Sequence, residues 1–249
     1  MRILKSLAVL LILFSGALSA AELRFSLVQT GRTISSGEYA WRDGGWLPPA
    51  EFNHVAVLIE HRGSRLLFGT GLGRHIDAQL NGVIPWRAKR YSAVQPARDQ
   101  FDEDGLAIDQ VVLGCARWNH ASGLVDFAEL PVLASPESIR YAQSATPPAV
   151  IPGQFSHGVR WQPLRLERRA VYGFGESLDL FGDERLVLVK LAGHGALGLL
   201  LTLDDGRRFF FRGDALSSES RAEALPAEVY RLQDVRLQAR LGFYPRWVE

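Results

Sequence analysis

Three times in this chain an apolar run ends in a glycine, next to a side chain able to hold a metal. The first segment is Val111-Val112-Leu113-Gly114-Cys115-Ala116-Arg117-Trp118-Asn119-His120. The second is Val189-Lys190-Leu191-Ala192-Gly193-His194-Gly195, and the third is Phe210-Phe211-Arg212-Gly213-Asp214-Ala215. Short apolar runs bounded by glycine read as buried strands. Chemistry repeated at the ends of such strands points to a layered α/β fold whose site gathers at one sheet edge.

The remaining pattern supports that layering. Leu23–Gln29 alternates apolar and polar residues, as a half-buried strand does. His54–Glu60 and Ser64–Phe68 flank the turn His61-Arg62-Gly63 and predict a hairpin. Leu197–Leu203 and Arg207–Arg212 flank Asp204-Asp205-Gly206 and predict another, because glycine accepts the positive φ of such turns. Ile108–Leu113 and Arg185–Leu191 are further apolar runs. Gly69-Thr70-Gly71-Leu72-Gly73 interrupts the pattern without the Gly-Lys-Ser/Thr ending of a phosphate loop, and no helix is evident after it. Helix is expected within 95–106, over Pro136–Gln143, and through most of Glu219–Leu241, where Leu225, Val229, Leu232 and Val235 line one face. Pro226 suits the start of that last helix. The proline-rich stretch 144–163 reads as a loop.

Residues 1–21 have a basic start at Arg2 and Lys5, an apolar run from Leu7 to Phe14, and small residues after it. That is the layout of a secretory signal peptide, cut after Ala21 or after Ser19. The apolar run is short for a membrane span. The expected organisation is a leader over 1–21 and one domain over 22–249, exported to a periplasm or the outside. No membrane span is expected after cleavage. The chain has 28 Lys+Arg and 27 Asp+Glu; loss of Arg2 and Lys5 leaves 26 against 27. A near-neutral chain carries no global footprint for nucleic acid. The single cysteine, Cys115, excludes an internal disulfide and a paired-cysteine zinc site.

From His54 to Leu216 the order of motifs resembles the metallo-β-lactamase superfamily, in its lactonase and esterase branch. Leu66-Leu67-Phe68-Gly69-Thr70-Gly71 is similar to the family's early hairpin, which usually ends Asp-Thr-Gly. Gly114 to His120 aligns with Thr-His-x-His-x-Asp-His. Ala192-Gly193-His194 is similar to Pro-Gly-His, and Gly213-Asp214-Ala215 to Gly-Asp-Ala. The resemblance implies a four-layer αββα sandwich with two zinc ions at the sheet edge, where metals polarise a carbonyl and activate a shared water.

The ligands follow that pattern only in part. His120, His194 and Asp214 match. Cys115, Arg117 and Asn119 stand where two histidines and an aspartate are expected, Gly69 replaces an aspartate, and no histidine follows His194. Catalytic zinc generally needs three good protein ligands and an open position. A two-zinc site is therefore not expected; the cofactor is either none or a single zinc ion. Arg117 would put a fixed positive charge where a cation belongs, and it could pair with Asp214. The leading expectation is a non-catalytic protein that binds a small molecule. The alternative is a mononuclear-metal hydrolase of a lactone or ester using His120, His194, Asp214 and possible ligand Cys115. The sequence defines no protein partner. His54, His61, His75 and His157 match no ligand position and read as surface or loop residues, while Trp118 reads as packing.

Overall fold

The computed structural model describes residues 22–34, 40–42, 45–47, 51–81, 83, 91–147, 150–213 and 225–249. Asp214 lies outside them, as do residues 1–21.

The larger sheet contains β1 (Leu23–Ile34), β4 (Glu51–His61) and β5 (Ser64–Phe68), linked antiparallel. The short pair β2 (Ala40–Arg42) and β3 (Gly45–Leu47) lies between β1 and β4 in sequence. β6 (Tyr91–Ser92) closes one edge against β1. β7 (Gln110–Val112), β8 (Pro131–Ala134) and β9 (Arg160–Pro163) extend the other edge in parallel, giving seven strands in the order β6-β1-β4-β5-β7-β8-β9. The smaller sheet has five strands, β10 (Ser177–Asp179), β11 (Leu186–Lys190), β12 (Leu197–Thr202), β13 (Arg208–Arg212) and β14 (Val229–Arg231).

The sheets pack face to face. Leu23, Phe25 and Leu27 from β1, and Val55, Val57 and Ile59 from β4, meet Leu186, Leu188, Leu199, Phe209 and Phe211 in one core. Phe25 lies edge-on to Phe209 at 4.9 Å, and Phe68 edge-on to Phe211 at 5.8 Å. The intervening residues of the same strands face outward: Ala56 and Leu58 join a second core, and Val187, Val189 and Phe210 a third. Both faces of the central strands are thus buried, which explains their unbroken apolar runs.

Helices α1 (Ile76–Leu80), α2 (Ala97–Glu103), α3 (Trp118–Ala121) and α4 (Pro136–Ser144) fall between strands of the larger sheet. Ala97, Phe101, Ala121 and Ala142 cover its outer face. The Ser135 side chain caps α4 by accepting from the Ser138 N–H. Over the outer face of the smaller sheet, Val171, Tyr172, Phe174 and Leu225 supply the described cover.

Three local expectations are corrected. The segment after Pro226 is not continuous helix: Val229–Arg231 pairs in parallel with β13, and α5 (Val235–Leu241) starts at Asp234, whose carboxylate accepts from Arg236 and Leu237 N–H groups. Residues 219–224 of that expectation lie outside the described residues. The proline-rich stretch contains an edge strand, β9, and a 3-10 turn at Pro152–Phe155. The short helix α1 does follow the glycine-rich break at Gly69–Gly73.

Candidate functional site

The first and third of these strand ends meet through the start of β12. Gly114 C=O accepts from Leu197 N–H at 2.8 Å, and Leu197 C=O accepts from Gly213 N–H at 2.9 Å. A Cβ built on Gly213 would stand 2.3 Å from the Leu197 oxygen and 2.7 Å from Gly114 backbone atoms. A Cβ on Gly114 would stand 2.5 Å from the Phe68 ring and 2.9 Å from Gly213 Cα. These two glycines let the sheets touch at the edge where the motifs gather.

Gly69 has φ +69°, a left-handed conformation that favours glycine over the aspartate expected from the resemblance. Its N–H reaches Val112 C=O at 2.8 Å. Next to it, the Thr70 N–H and hydroxyl both donate to the His120 carbonyl, at 3.0 and 2.9 Å. The early turn thereby fixes α3, and α3 presents Asn119 and His120 to a pocket.

That pocket has a volume of about 180 Å³ and opens between β4, α3, β13 and the start of α5. Phe52, Val55 and Phe211 give it apolar walls. Asn53, His54, Asn119, His120, Arg212, Gln233 and Gln238 complete the lining. No carboxylate or thiol stands among these described lining residues. Gln29 donates to Asn53 at 2.6 Å, Asn53 to Gln238 at 2.8 Å, and Gln238 to the Leu232 carbonyl at 2.8 Å, so one relay fixes this rim. The buried Asn119 Oδ1 has no hydrogen-bond partner, which is costly for a buried acceptor.

His54 is the residue that sequence reasoning missed. It is 4% exposed and His61 is 0% exposed, so neither is a surface residue. Both sit on β4, a strand buried on both faces. His54 Nε2 lies 2.7 Å from Thr33 Oγ1, and the ring packs near Trp118 and Phe52. Burial, with the nearby His120 as the lesser cause, holds the His54 pKa down to about 4. His54 is therefore a neutral imidazole at neutral pH. His75 is exposed and His157 half-buried.

Of the expected ligands, the pocket gathers His120 and the replaced position Asn119. His194 is exposed, with φ +42°, and its ring stacks on Tyr141 at 4.0 Å, almost parallel. It does not line the pocket. Cys115 is buried and Arg117 precedes α3; neither lines the pocket. Asp214, and with it the Arg117–Asp214 pairing, lies outside the described residues. Trp118 packs against Leu72, Ile76 and Leu80, as expected.

Among the described residues, the one group of three ligand atoms close enough for a metal is Glu22, His61 and Asp183, within 4.8 Å. It is far from the expected positions in sequence. Its carboxylates already have cations: Arg62 bonds Glu22 at 2.9 Å and Asp183 at 3.0 Å. A metal would have to displace that guanidinium, so the group reads as an ion-pair cluster.

No family model matches the chain, and no curated protein matches it. Solved structures do. An AiiA variant from B. thuringiensis with N-decanoyl-L-homoserine at its active site is 11% identical, with a TM-score of 0.64 over 90% of this chain and 98% of that one. An N-acyl homoserine lactone hydrolase with N-hexanoyl-L-homoserine at its catalytic metal centre is also 11% identical, with a TM-score of 0.62 over 90% and 98%. AidC, a dizinc quorum-quenching lactonase, is 12% identical, with a TM-score of 0.50 over 76% and 70%. The chain has the mixed α/β, two-sheet fold of the metallo-β-lactamase type shared with these lactonases.

Proposed function

We propose that this chain is an exported small-molecule binding protein, built on a lactone-hydrolase fold whose two-zinc centre has been replaced by an organic-ligand pocket. One observation carries the reading. The pocket beside Asn119 and His120 offers amides, imidazoles and the Arg212 guanidinium between apolar walls, with no carboxylate or thiol among its described lining. Two zinc ions need several anionic or imidazole ligands around each metal, and among the described lining residues His54 and His120 are the ones of that kind. The lining suits a small ligand with an oxygen-rich, anionic head and a short apolar body.

The chemistry open to these side chains is binding and orientation. Arg212 brings a guanidinium to the pocket wall, a group that can face a ligand carboxylate. Asn119 Oδ1 can accept an N–H from an amide ligand. His54 stays neutral and adds no competing charge. A mononuclear hydrolase would need His194 beside His120, whereas the His194 ring rests on Tyr141.

The test is calorimetric titration with N-hexanoyl-L-homoserine and with hexanoate, alongside Arg212→Ala. Saturable binding is expected, weakened about tenfold or more in the variant, the cost of losing a charge-assisted contact. Heat without saturation, or equal affinity in Arg212→Ala, would overturn the reading. Turnover of the parent lactone abolished by His194→Ala would replace it with the hydrolase alternative.

A further inference from the structure

Glu22 is held at its backbone and at its side chain. Its N–H donates to Asp204 Oδ2 at 2.9 Å, and its carbonyl accepts from His61 Nδ1 at 2.8 Å. Its carboxylate pairs with Arg62 at 2.9 Å. Asp204 also pairs with Arg185 through its other oxygen. Asp183 joins the same cluster through His61 Nε2 at 2.7 Å. In this cluster two guanidiniums and the His61 ring, both of whose nitrogens face oxygen acceptors, stand among three carboxylates.

We infer that the leader is cut between Ala21 and Glu22, and that the α-ammonium so created is seated on Asp204. The cut is a hydrolysis by a leader peptidase with water as co-reactant. The water oxygen joins the Ala21 carbonyl carbon, the C–N bond breaks, and the Glu22 nitrogen takes a proton. At neutral pH most of that amine carries a second added proton and is an ammonium. A neutral N–H donor to Asp204 becomes a charged one. Residues Ser19 and Ala21 satisfy the small-residue rule for this cut. A cut after Ser19 would put the ammonium two residues beyond Asp204's partner atom.

The inference rests on the export reading, and the experiment separates the two. The full chain is expressed in an exporting bacterium, and the protein from the periplasm and medium is weighed intact. A mass beginning at Glu22 is expected. A mass beginning at Ala20 leaves export standing and overturns the seat. An uncut chain retained in the cell overturns both. For the chain beginning at Glu22, acylation of the α-amine at pH 7 is then timed. It is expected to run several-fold faster in Asp204→Asn, where asparagine keeps the turn chemistry but not the charge. Equal rates overturn the seat.

Discussion

Gly213→Ala lowers the melting temperature by roughly 6–12 °C, the equivalent of about 3 kcal/mol in a chain of this size. The added Cβ would meet a carbonyl oxygen at 2.3 Å and Gly114 backbone at 2.7 Å, and none of these atoms can rotate away. One sheet must shift relative to the other. Gly206→Ala is the control: it sits in an exposed turn where a Cβ meets nothing within 4 Å, though its φ of +85° carries its own smaller strain. Thermal unfolding by circular dichroism compares the two. A Gly213→Ala chain as stable as the wild type would mean that the strand ends do not touch.

The second large effect is acid sensitivity at His54. Its folded pKa of about 4 lies below the ordinary value of 6.5, so folding favours the neutral ring. Below pH 6.5 the unfolded chain binds a proton that the folded chain refuses. Stability is therefore complete above about pH 6.5 and is lost progressively down to about pH 4, by about 3 kcal/mol. Carboxylates held low, Asp183 chiefly by its hydrogen bond with His61 and Glu60 by Arg65 and Arg24, add their own losses as pH falls below their ordinary values. His54→Gln removes the imidazole titration. Urea unfolding between pH 7 and pH 4 should give a visibly flatter stability profile for the variant. Parallel profiles would show that His54 binds its proton as readily in the folded protein as in the unfolded chain.

Much of the fold was legible because glycine and apolar runs carry mechanical information. Gly114 and Gly213 mark the ends of β7 and β13, and at both glycines the two sheets' backbones approach closely. The two hairpins were legible from Gly63 and Gly206, each at positive φ. The C-terminal segment was not. Leu225, Val229, Leu232 and Val235 match helical spacing, yet Val229 pairs along β13 instead. Parallel pairing with a distant strand leaves no local mark, whereas Asp234, the true helix cap, was a signal in plain view.

The site was legible by position and less so by content. The motif order located Asn119 and His120, which do line the pocket. It also named His194, whose ring stacks on Tyr141, a contact between α4 and the β11–β12 loop that spacing does not reveal. His54 was overlooked because β4 is buried on both faces, so alternation cannot tell an inward residue from an outward one. Its neighbours in the run, Val55 to Ile59, were the available hint that the whole strand lies inside.

We propose that this pocket takes an organic ligand in place of metal. Zinc content of the purified protein, measured by mass spectrometry after equilibration with zinc and dialysis, is the direct test. The account predicts well under one zinc ion per chain, unchanged by His120→Ala. One or two zinc ions per chain, lost in His120→Ala or Asp214→Ala, would contradict it and return the chain to the metal-dependent hydrolases.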